Sequence, residues 1–75
     1  MKQLIINSIN SHQGIKTVQL VMNIMSHIGP SSFNPYEFNN SLNELVRDKE
    51  VIEIIYYIPN DVRRSIYFPK GTKFI

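Results

Sequence analysis

The sequence predicts a single α+β domain over residues 1–75, three helices followed by a two-stranded hairpin, and three observations carry that reading. Gly29-Pro30 separates two segments of helical apolar periodicity. Asn34-Pro35-Tyr36-Glu37 is a helix start of high local specificity. The run Val51–Ile58 is β-branched and aromatic, and Pro59-Asn60-Asp61 turns it toward a second, shorter run at Ser65–Phe68.

Taken in order, Leu4, Ile5, Ile6 and Ile9 leave one side of residues 2–11 apolar against Gln, Asn and Ser, which predicts a short first helix. His12-Gln13-Gly14 ends it, with glycine free to take a positive φ, and Ile15 points back to the core as a minimal extra strand. Val18, Val21, Met22, Met25 and Ile28 follow a 3–4 spacing, joined by Leu20 and Ile24, so residues 17–28 read as an amphipathic helix with Thr17 at its N-cap. Gly29-Pro30 stops it, because proline disfavours helix in the residue before it and glycine supplies a left-handed cap. Gly29–Phe33 is a tight turn.

In the third helix Asn34 caps, Pro35 sits where its missing N–H costs nothing, and Glu37 lies by the positive end of the dipole. Phe38, Leu42, Leu45 and Val46 form its buried stripe, and the helix ends near Lys49. Its outward face is Asn39, Asn40, Asn43, Glu44 and Arg47. Strand Val51–Ile58 places Ile52, Ile54, Tyr56 and Ile58 on one side, expected to face the core with Ile66 and Phe68. Val51, Glu53, Ile55 and Tyr57 fall on the other. Pro59–Arg64 is the connecting loop, and Pro69-Lys70-Gly71-Thr72 is the closing turn.

A chain of 75 residues builds one small core; such domains bury about 60% of their unfolded surface and need help to be stable. With 0 cysteines, neither disulfide nor thiolate metal site is open to it. Oligomerisation is the remaining staple. The lack of cysteine, of a signal-peptide pattern and of a membrane-length apolar run sets the expectation of a cytoplasmic protein with no membrane partner.

Net charge is +2, unevenly spread. Residues 34–53 carry five acids against Arg47 and Lys49, whereas residues 54–75 carry Arg63, Arg64, Lys70 and Lys73 against Asp61. Helix three is therefore acidic, and the hairpin and tail are basic.

Catalysis finds no support. His12 and His27 each follow a serine, but a Ser-His dipeptide is no nucleophile–base pair, and both histidines read as helix-end residues. They are too far apart for one local metal site, and no carboxylate cluster accompanies them. No glycine-rich phosphate loop occurs. The sequence predicts no enzyme, no cofactor and no metal.

The order helix, turn, helix, then basic hairpin resembles the winged helix-turn-helix superfamily over nearly the whole chain. The Gly14-Ile15-Lys16-Thr17 lead, Leu42-Asn43-Glu44-Leu45-Val46 followed by Val51-Ile52-Glu53, and the finish Arg64-Ser65-Ile66-Tyr67-Phe68-Pro69-Lys70-Gly71-Thr72 also resemble small phage and bacterial proteins. The resemblance implies duplex DNA binding and transcriptional regulation, with the third helix in the major groove and the hairpin, or wing, on backbone or minor groove. Other members of the superfamily bind only proteins.

Candidate DNA contacts follow from side-chain chemistry. Asn39, Asn40 and Asn43 can pair bidentately with adenine; Arg47, Arg63, Arg64 and Lys70 suit phosphates or a narrow minor groove; Lys16 and Thr17 lie at a helix N-terminus able to hold a flanking phosphate. Glu37 and Glu44 oppose such contacts. The alternative is a protein-interaction module, for example with a host protein, because Val51, Ile55 and Tyr57 with Tyr67 beside them would form an exposed apolar patch. That patch would serve a homodimer or a foreign partner unless the tail Thr72–Ile75 folds over it. The DNA-binding protein is expected to be a homodimer, and helix one could serve as its interface as well as strand two.

Overall fold

The computed structural model describes residues 1–60 and 62–74; Asp61 and Ile75, and the parts of the turn and tail expectations that fall on them, lie outside the described residues. Three helices, α1 (Lys2–Ser11), α2 (Thr17–Ile28) and α3 (Pro35–Arg47), pack on a three-stranded antiparallel sheet of β1 (Ile15–Lys16), β2 (Val51–Ile58) and β3 (Val62–Pro69). Strand order is β1-β3-β2, so β3 is central. The arrangement is α+β and compatible with a winged-helix layout. No helix among the described residues is long and apolar enough to cross a membrane.

Local chemistry sets the joints. Asn34 caps α3 as expected, its side-chain oxygen accepting from the Tyr36 and Glu37 amides at 2.9 and 3.2 Å. Asn34→Ala should cost about 1 kcal/mol, readable as a lowered urea midpoint with unchanged slope. Gly29 has φ 86° and its N–H closes α2 on the Met25 carbonyl at 2.8 Å. Pro30–Ser32 then form a single 3₁₀ turn. The N-cap of α2 is Lys16 rather than Thr17, and the Gln19 side chain accepts from the Lys16 amide at 3.2 Å. At the end of α3, Lys49 takes φ 60° and the Glu50 amide returns to the Leu45 carbonyl at 2.9 Å, which delivers the chain into β2.

The core is formed by Ile5, Ile9, Ile15, Leu20, Ile24, Phe38, Leu42, Leu45, Val51 and Tyr67. Two expectations are corrected by this set. In α2 the buried line is Leu20 and Ile24, while Val18 and Met22 are 69% and 64% exposed. Residues 17–28 are apolar on most sides, and Leu20, Ile24 and Ile28 at i, i+4, i+8 are the ones turned inward, with Val18 and Met22 on the opposite flank.

The second correction concerns the sheet. Val51 and Tyr67, expected in an exposed patch, are buried at 3% and 4%. Ile15 pairs with Tyr67, and Glu53 pairs with Tyr67 from the other side, so the odd-numbered residues of β2 and β3 share the inner face. Ile52, Ile54, Tyr56, Ile58, Ile66 and Phe68 therefore lie on the outer face, all half-buried. A strand apolar on both sides does not reveal which parity points inward; the pairing with the core residue Ile15 decides it. Ile55 and Tyr57 stay exposed because the inner face continues past the helices into the wing. The tail covers part of the outer face, with Phe74 against Phe68 at a ring separation of 5.0 Å, edge to face.

The wing is also longer in strand and shorter in loop than expected. Ile58 pairs with Val62, so Val62, Arg63 and Arg64 belong to β3 rather than to a loop. Asn60 takes φ 79° in the turn, a conformation asparagine tolerates better than most residues.

Candidate nucleic-acid interface

Helix α3 turns a polar stripe to solvent. At 3.6 residues per turn, Tyr36, Asn40, Asn43 and Arg47 follow one another on a single line, with Asn39 beside it. The opposite side holds the buried Phe38, Leu42 and Leu45. Tyr36 is 81% exposed and was read in the sequence only as part of the helix start; its spacing of four from Asn40 is the signal that places it on this line. Glu37 and Glu44 sit on the flank, about 80–100° away around the helix axis. Lys2 Nζ holds Glu44 at 2.6 Å, and this hydrogen bond, with the lysine charge, keeps the Glu44 carboxyl below its ordinary range. The acidic character of α3 is thus partly neutralised from α1.

Beside α3, an open cleft of about 860 Å³ runs between the start of α2 and the base of the wing. Five of the sequence-predicted contact residues line it: Lys16, Thr17, Asn43, Arg63 and Arg64. They come from β1, α2, α3 and β3 and are far apart in the chain. β1 covers β3 only at Ile66 and Tyr67, which leaves the edge of β3 from Val62 to Ser65 without a β1 partner. Arg63 stands opposite Tyr57 and Arg64 opposite Tyr56 along this open edge, and both residues are exposed.

Among the described residues one acid enters the cleft. Glu53 Oε2 accepts from Ser65 Oγ at 2.8 Å and from the Tyr67 hydroxyl at 3.2 Å. These two donors fix the carboxylate against the sheet. Against Lys16, Arg63 and Arg64, the described lining keeps a positive balance. Burial pushes the Tyr67 hydroxyl up from its ordinary range, a hydrogen bond with Thr17 works the other way, and the Glu53 charge adds to the rise. A folded-state value above the unfolded one means that the stability from Tyr67 is complete below about pH 10 and is lost as pH rises beyond it. Urea midpoints should therefore fall between about pH 9 and pH 11, less so in Tyr67→Phe.

The remaining predicted contacts are placed differently. Asn39 and Asn40 are exposed on α3 but do not line the cleft. Arg47 Nε donates to Asp48 Oδ1 at 3.0 Å and Nη2 to Oδ2 at 3.3 Å, so its guanidinium is already engaged. Lys70 stands 3.6 Å from Glu50 and outside the cleft. No family model matches the chain, and searches of curated proteins and of solved structures return no match either.

Proposed function

We propose that this chain is a winged helix-turn-helix protein that binds duplex DNA as a small transcriptional regulator. In this reading α3 lies in the major groove with Tyr36, Asn40 and Asn43 toward base edges. Lys16, Arg63 and Arg64 hold the phosphates of the adjacent strand. The observation that carries the reading is the convergence of these three cations, with Asn43, on one open cleft beside an exposed helix face. Bases would be read by amides and a tyrosine, and position would be set by few charges.

Three phosphate contacts imply a shallow salt dependence, a log–log slope near −3 for one copy, and modest affinity. Fluorescence anisotropy of a labelled random duplex, titrated at low and near-physiological salt, tests this. Saturable binding with a slope of that size supports the reading. No binding at low salt rejects it.

A second reading, a protein-interaction module without DNA contact, is favoured by Val18 and Met22, a turn apart on α2 and mostly in solvent. Aliphatic side chains at this exposure do nothing for phosphates. Loss of partner binding in Met22→Lys with duplex binding absent throughout would select it.

A further inference from the structure

We infer that β2 is a self-pairing edge, and that two copies of this chain join through it into one six-stranded antiparallel sheet. The two edges of the sheet differ sharply. On one side β1 has two residues and runs directly into α2, so it offers little to pair with. On the other side β2 presents eight residues, Val51–Ile58, with no strand on its far side among the described residues.

Proteins protect edges of this length with lysine, proline, a bulge or an inward charge. β2 contains neither lysine, arginine nor proline. Its one charge, Glu53, is held against β3 by Ser65 and Tyr67. The remaining residues are isoleucine, valine and tyrosine, which favour strand pairing.

A second copy fits this edge better than any other strand for a reason of symmetry. An antiparallel pair of identical strands is related by a twofold axis, so every unpaired N–H and C=O of one copy meets its counterpart in the other. Shape supports the same occupant. The accessible surface is 5344 Å², against roughly 4800 Å² for a compact monomer of this mass. The radius of gyration is 12.4 Å, against about 11.3 Å for a compact chain of this length. The surplus is of the order that one side of a small interface covers.

The geometry also fixes the register within narrow limits. A twofold axis normal to the sheet keeps the two helical layers on one side, so inner-face residues must pair with inner-face residues. Odd positions then pair with odd and even with even, which requires one residue to sit opposite its own copy. Centring the eight-residue strand leaves Ile54 or Ile55 in that place. The wings point away from each other, and both α3 faces look the same way.

Single cysteines test this cleanly, since the chain has 0 of its own. Ile54→Cys and Ile55→Cys are oxidised in air and run without reductant, beside light scattering of the wild type over a concentration series. Expected are a mass of twice 8.8 kDa, a disulfide in at least one variant, and, for lysine placed at the position that crosslinks (Ile54→Lys or Ile55→Lys), a still helical monomer whose dissociation constant rises at least about tenfold because like charges then meet across the axis. Monomer mass throughout, as a foreign strand partner would give, overturns the inference. So does a dimer in which neither cysteine crosslinks. No nucleic acid enters the experiment, so its outcome is independent of the DNA-binding proposal.

Discussion

Tyr67→Ala is expected to lower the urea midpoint of the chain sharply, whereas Tyr57→Glu, ten residues away on the same face of the same hairpin, is expected to leave it nearly unchanged. Tyr67 is 4% exposed, and its ring belongs to the core while its hydroxyl donates to Glu53. Truncating a buried aromatic costs about 3–5 kcal/mol. The whole stability of a domain this size is roughly 4–11 kcal/mol, so at the lower end one substitution removes most of it. Tyr57 is 68% exposed, and surface changes of that kind usually stay within about 0.5 kcal/mol. Urea denaturation followed by far-ultraviolet circular dichroism reads both. An unchanged midpoint in Tyr67→Ala would mean that Tyr67 does not lie on the inner face of the sheet.

The double variant Arg63→Ala, Arg64→Ala is expected to weaken duplex binding about ten- to a hundredfold near physiological salt and to reduce the salt slope by about 2. Two of the three cleft cations are lost in it, and neither arginine has a role in the core. Lys70→Ala serves as the comparison, because its ammonium faces Glu50 and lies outside the cleft. An equal loss in the two variants would mean that general positive charge, rather than the cleft, draws the duplex. An unchanged slope in the double variant would remove the wing from the contact.

Sequence made the helices and the hairpin legible because their signals are local. Asn34-Pro35 and Gly29-Pro30 act through one or two residues of backbone chemistry, and the structure keeps both boundaries. What stayed hidden was which way the apolar residues face. Val18 and Met22 are as apolar as Leu20 and Ile24, and Val51 as apolar as Ile52, so only tertiary pairing separates core from surface. The cations of the cleft could be nominated one by one from Lys16, Arg63 and Arg64. Their convergence could not, since it depends on where β1 stops along β3. The pairing of Arg47 with Asp48 and of Lys70 with Glu50 is likewise a matter of geometry between close neighbours in space.

The central position of β3 constrains how the gene for this chain can vary. Within eight residues the strand supplies a core residue at Tyr67, an outer-face residue at Ile66 and a cleft residue at Arg63, with Arg63 and Tyr67 on one face and Ile66 on the other. Deleting or inserting a single residue between Arg63 and Ile66 would put Arg63 and Tyr67 on opposite faces of the strand. Length changes in β3 are therefore tolerable in steps of two. Libraries that vary the wing for new binding properties should be built on that arithmetic.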